Sequence, residues 1–160
     1  MEKQQPTPEH AWLQRFVGEW SFEVDVPDDP SANDSGIERV RALGPFWVIC
    51  EAEWASGEGG ASRMTLGYDP AQERFEGTFV GSTMPSLWIY RGYLDEARQR
   101  LTLDTVGPSY TRPGELASYQ DVLTLESDDV RTQTSYYQND EGDGGWTHLL
   151  TVRYRRIAAS

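Results

Sequence analysis

The sequence predicts an all-β protein, about ten antiparallel strands in an up-and-down barrel with one short helix in front. Three observations lead there. Apolar and polar residues alternate with period two in one stretch after another. The first sets Trp20, Phe22, Val24 and Val26 against Glu19, Ser21, Glu23 and Asp25, the pattern of a strand with one face in a core and one in water. Turn-forming clusters separate these stretches at hairpin spacing and leave no crossover helices, which argues against a parallel sheet. The chain also carries six Trp, eight Tyr and five Phe with 15 Gly, a composition suited to sheets. Ten strands paired in order would expose two edges unless they close on themselves, and closure favours a barrel.

Residues 1–7 are polar and are expected to be flexible. Residues 8–157 are long enough for one domain with a real core. Thr7-Pro8-Glu9 opens a helix, with Thr as N-cap, Pro at the first helical position and Glu in the first turn. Trp12, Leu13, Phe16 and Val17 share a helical face, Gly18 ends the helix, and the helix should plug the barrel mouth near Trp20. Pro27–Gly36 is a long loop. Strands follow at Ile37–Ala42, Phe46–Ala55, Ser62–Tyr68, Arg74–Val80, Leu87–Tyr93 and Arg100–Val106. After a second long loop, Gly107–Ala117, come Ser118–Leu125, Val130–Gln138 and Trp146–Arg156. Short turns join the rest, among them Ser56–Gly60, Asp69–Gln72 and the Gly-rich Asn139–Gly145. Leu87–Tyr93 is apolar on both faces, so its orientation stays open.

With 26 acidic and 14 basic residues the net charge is −12. Such a surface repels phosphate backbones and anionic lipid, so neither nucleic acid nor membrane is an expected partner. One cysteine, Cys50, and the lack of a signal-like or membrane-spanning run fit a cytoplasmic protein. Two histidines, His10 and His148, and no cysteine pairs argue against a metal site. No Ser elbow and no phosphate loop occurs. No catalytic residue is assigned.

A helix, Gly18-Glu19-Trp20, a meander and a last strand ending in arginines resemble the calycin superfamily, which includes lipocalins. That resemblance implies a Trp in the barrel floor covered by an arginine, here Arg153, Arg155 or Arg156. The chain is more closely similar to a bacterial family of uncharacterised calycin-like proteins, domain of unknown function fifteen-seventy-nine. Pro8-Glu9-His10, Val17-Gly18-Glu19-Trp20, Leu66-Gly67-Tyr68-Asp69-Pro70 and Val152-Arg153-Tyr154-Arg155 carry the likeness. It implies the fold and brings no activity with it.

If Trp20 faces inward, the charged positions decide other faces. Glu51 and Glu53 outside turn Cys50 and Trp54 inside. Arg153 and Arg155 outside turn Trp146, His148, Leu150, Val152 and Tyr154 inside, and Val130, Thr132, Thr134 and Tyr136 are placed inside as well. The expected lining of a ligand cavity is therefore Trp54, Tyr68, Trp88, Thr134, Tyr136 and His148, aromatic walls with a few polar groups. The two long loops are candidate lids. The leading expectation is a barrel that binds a small apolar or aromatic molecule and needs no cofactor. Alternatives are haem held by His148, whose Thr147-His148-Leu149 context resembles nitrobindin-like barrels, and a confinement-type cyclase or isomerase using His148 or Tyr136. Apolar residues outside, such as Trp47, Trp88 and Ile89, would suit a homodimer.

Overall fold

The computed structural model describes residues 2–56, 60–138 and 144–159. Among them the chain forms a helix, α1 (Pro8–Gln14), and ten strands. These are β1 (Gly18–Asp25), β2 (Asp34–Leu43), β3 (Trp47–Trp54), β4 (Ala61–Asp69), β5 (Arg74–Gly81), β6 (Trp88–Leu94), β7 (Arg100–Pro108), β8 (Leu116–Leu125), β9 (Val130–Gln138) and β10 (Trp146–Ala159). Each strand pairs antiparallel with the next, and β10 returns to β1, so the barrel is closed and up-and-down as expected. A 3-10 turn at Pro30–Ala32 sits in the first long loop, and β2 begins at Asp34, earlier than Ile37. The turns expected over 56–60 and 139–145 fall largely on residues outside those described. Among the described residues no helix is long and apolar enough to cross a membrane.

One end of the barrel is filled. The backbone N–H of Thr7 donates to His10 Nδ1 (2.9 Å), so the other ring nitrogen, Nε2, carries the proton and donates to the Tyr68 carbonyl (2.9 Å). His10 thereby caps α1 and ties it to β4. Trp12 Nε1 donates to the Arg98 carbonyl (2.8 Å). Leu13, Phe16 and Trp20 show no surface to solvent, and Trp20 Nε1 donates to the Phe16 carbonyl (2.8 Å). Leu66, Phe75, Leu101, Leu103, Leu123 and Leu125 complete this half of the core.

The arginine over Trp20 is Arg156, its guanidinium carbon 4.2 Å from the indole. It donates to the carbonyls of Val17 (2.7 Å) and Arg15 (2.8 Å), closing the corner between α1 and β1. Gly18 makes room for it. At φ +141° the position favours glycine, and a Cβ there would lie 2.4 Å from Arg156 Nη1. A second guanidinium, that of Arg131 in β9, lies 4.5 Å from the same indole.

Candidate functional site

The other half of the barrel holds a cavity of about 350 Å³, within the usual range for small-molecule sites. Ten strands make a tube too wide for its side chains to fill, and Ala52 and Ser62 on neighbouring β3 and β4 are short where they face in. The floor is made by Glu38 of β2, whose carboxylate is paired with Arg131. Both are buried, and the Arg131 guanidinium carbon stands 3.7 Å from the Tyr154 ring. Burial alone would favour loss of the Arg131 proton, but the Glu38 carboxylate outweighs it and holds the guanidinium charged. Cys50 lines the same region. Burial pushes its thiol well up, so it is a small core residue and an unreactive one.

The walls differ in chemistry. Phe22, Ala52, Trp54, Met64, Phe79, Leu149, Leu150 and Val152 form an apolar side contributed by β1, β3–β5 and β10. Across from it, four successive strands supply polar groups: Tyr90 (β6), Thr105 (β7), Asp121 (β8) and Ser135 (β9). Ser135 Oγ donates to Asp121 Oδ1 (2.6 Å), and the Tyr90 hydroxyl makes a short hydrogen bond to Asp121 Oδ2. Thr105 Oγ1 is buried with no hydrogen-bond partner. Protein encloses Asp121, and the surface it retains faces the cavity.

Burial lifts the Asp121 carboxyl above the ordinary carboxylate range, against the bonds from Ser135 and Tyr90, which lower it. A carboxyl whose folded value is raised stabilises the fold fully below its unfolded value, and that contribution is lost as pH climbs through the folded one. Asp121→Asn should therefore melt higher than the parent at pH 7, with the gap closing towards about pH 4, near the free Asp value. Thermal melts at both pH values check this, and an equal or lower melting temperature for the variant at pH 7 would contradict it.

Trp88 stands beside the polar wall. Pairing between β6 and β7 stops at Arg91–Asp104, so Trp88, Ile89 and Tyr90 have no partner in β7. The Trp88 ring fills the gap over Gly107, where a Cβ would come within 2.0 Å of it. It also meets Tyr119 edge-on at 5.2 Å, and its Nε1 donates to Met84 Sδ (3.2 Å). Outside this gap runs a groove lined by Leu87, Ile89, Val106 and Trp146, which shares Thr105 and Tyr119 with the cavity. The open question of β6 is thus settled: Trp88, Tyr90 and Gly92 point in, while Leu87, Ile89 and Tyr93 are exposed.

Of the six expected lining residues, Trp54 and Trp88 face the cavity. Tyr68 does not reach it. Its ring packs on Phe75 (4.8 Å) and near His10 (5.8 Å) at the plugged end. Thr134 and Tyr136 are on the wrong face, because β9 turns Arg131, Gln133 and Ser135 inward. His148 is exposed outside, its Nε2 2.8 Å from Thr151 Oγ1 and its ring 5.8 Å from that of Tyr136. A bulge between His148 and Leu150 shifts the parity of β10, so Leu150, Val152 and Tyr154 face in while Trp146 and His148 do not. His148 therefore cannot ligate a haem held inside the barrel, and neither it nor Tyr136 can serve as acid or base there. Neither Pro27–Gly36 nor Gly107–Ala117 lines the cavity; Met84, between β5 and β6, does. Trp47 and Ile89 are exposed, Trp88 is not. Among the described residues no cluster of His, Cys, Asp or Glu is arranged to hold a metal ion.

The profile of the family described as "Protein of unknown function (DUF1579)" matches residues 5–156. The chain belongs to this family. No curated protein matches it significantly. Among solved structures, the DUF1579 chain is similar to EF1p2_mFAP2b, solved bound to DFHBI, with 15% identity over 92% of this chain and 98% of that one and a TM-score of 0.42. A protein of unknown function of the DUF3598 family from Nostoc punctiforme is 11% identical over 98% of this chain and all of that one, with a TM-score of 0.24.

Proposed function

We propose that this DUF1579 protein binds one small, largely apolar or aromatic molecule inside its barrel. The observation that carries the reading is the half-filled interior. One end is filled by α1 and the buried leucines of β4, β7 and β8. The other keeps about 350 Å³ between aromatic and aliphatic walls, with a few polar groups gathered on one side. An apolar wall supplies affinity and a localised polar patch supplies orientation, which is how small-molecule sites are built. Nucleic acid is a poor partner for a chain of net charge −12.

The test uses N-phenyl-1-naphthylamine, an uncharged dye that fluoresces in apolar surroundings. Titration should give saturable binding at one dye per chain, and native mass spectrometry of freshly purified protein should show any retained molecule as a discrete mass. A linear, unsaturable dye response together with only the bare mass would remove the reading.

A further inference from the structure

From the polar wall we infer that the preferred ligand is a cation, an aromatic or otherwise apolar molecule ending in a protonated amine, with Asp121 as the group that reads its charge. This rests on the cavity being a ligand site and names the chemistry that site selects. The first support is the state of Asp121. It lies within the barrel, each carboxylate oxygen accepts one hydroxyl hydrogen bond, and among the described residues no Lys or Arg pairs with it. Hydroxyl donors solvate a carboxylate without neutralising it, and a buried carboxylate normally has a counter-charge. Here that position is open towards the cavity.

The second support is independent. Thr105 is 7% exposed, and its hydroxyl oxygen has no partner. It faces Tyr119 across the β7–β8 ladder, while Asp121 faces Leu103, so Thr105 and Asp121 are diagonal neighbours on the inner face, roughly 7–8 Å apart at the backbone. An ammonium has three donors to place. Asp121 takes the charge-assisted bond, and the Thr105 hydroxyl is a second acceptor beside it. The rings of Tyr90, Tyr119 and Trp88 border the same patch, and aromatic faces attract a cation.

The third support concerns what is excluded. Asp121, the carboxylate of the wall, disfavours an anion, and the carboxylate in the floor, Glu38, is already compensated by Arg131. The nearby guanidinium of Arg131 lies beneath the floor, already paired with Glu38 and close against the Tyr154 ring. A ligand ending in a carboxylate would meet unpaired negative charge. The net charge of −12 also raises the local concentration of cations near the protein.

The experiment displaces N-phenyl-1-naphthylamine with three probes of one shape: 2-naphthylmethylamine, 2-naphthalenemethanol and 2-naphthoate. The expected order is amine, then alcohol, then carboxylate, with the amine bound roughly ten- to hundredfold tighter than the alcohol, the usual worth of a hydrogen bond to a charged group. In Asp121→Asn the gap between amine and alcohol should close. If dye and alcohol bind but the amine gains nothing over the alcohol, or if Asp121→Asn keeps the full amine preference, the inference is wrong while the cavity reading stands. If the dye does not bind at all, both fall.

Discussion

Replacing Arg131 with methionine is expected to destabilise the protein by roughly 3–5 kcal/mol, the cost of breaking a buried ion pair from one side. For a chain of this size that is a drop in melting temperature of roughly 6–20 °C, at about 2–4 °C per kcal/mol. Arg131 is 2% exposed and its partner Glu38 8%. The guanidinium carbon lies 3.7 Å from the Tyr154 ring, 4.5 Å from Trp20 and 5.0 Å from Phe16, so one planar cation joins β2, β9, β10 and the floor beneath. Methionine retains much of the volume but leaves the Glu38 carboxylate buried with no counter-charge. Adding Glu38→Gln to Arg131→Met should restore most of the loss, since removing both charges spares the desolvation of each. Arg131→Lys should fall between, because an ammonium keeps the charge for Glu38 but lacks the planar fork of donors and the broad face a guanidinium offers to rings. Urea denaturation of the four proteins decides it. A single methionine variant within about 1 kcal/mol of the parent, the range of an exposed pair, would mean that the pair does not hold the floor.

Arg131 also marks the strand on which the sequence pattern is least informative. On β1 and β3 one face is apolar and the other charged, so Trp20, Phe22 and Val24, or Cys50 and Ala52, could be placed inside from alternation alone, and the structure agrees. On β9 both faces are polar. Val130, Thr132, Thr134 and Tyr136 compete with Arg131, Gln133 and Ser135, and hydrophobicity has little to weigh. The nominally less polar face is the outer one, because the charge that turns in is matched by Glu38 and the serine by Asp121. The missing signal lay one hairpin back. Leu123 and Leu125 fix the inner face of β8, and their partners across the ladder are Gln133 and Arg131. Residues directly opposite share a face, so carrying parity across the hairpin would have placed β9 and also turned Asp121 inward.

Two other features leave weaker marks. The bulge after His148 flips the parity of β10 by one residue, and nothing in Thr147-His148-Leu149-Leu150 announces it. The parting of β6 from β7 depends on Trp88 lying over Gly107, a contact between two strands whose register no local pattern sets. The barrel is legible because alternation recurs on most of its strands and hairpin-spaced turns separate all of them. The cavity's polar wall was harder to read because it is made of the residues that break the alternation.

Ala52→Phe is expected to weaken N-phenyl-1-naphthylamine binding roughly ten- to hundredfold while leaving the fold intact. Ala52 lies in the second half of β3, 4% exposed, paired with Glu38 on one side and Ser62 on the other, and all three line the cavity. A phenyl ring at this point projects into empty space, so the barrel need not expand to take it. A ligand and the ring then contend for one volume, and forcing both into place costs about 1–3 kcal/mol, as overpacking does elsewhere. The position is on the apolar side, away from Tyr90, Thr105, Asp121 and Ser135, so the polar wall keeps its bonds. Filling a void also removes the cost of its unsatisfied contacts, and the variant should melt no lower than the parent. Ile89→Asp is the contrasting change. Ile89 is 56% exposed in the groove outside the β6–β7 gap, and a carboxylate there spoils an outer apolar site without touching the interior. Dye binding that survives Ala52→Phe but disappears in Ile89→Asp would place the ligand on the outside of the barrel. Loss in Ala52→Phe with retention in Ile89→Asp places it within the barrel, against the apolar wall to which Ala52 belongs.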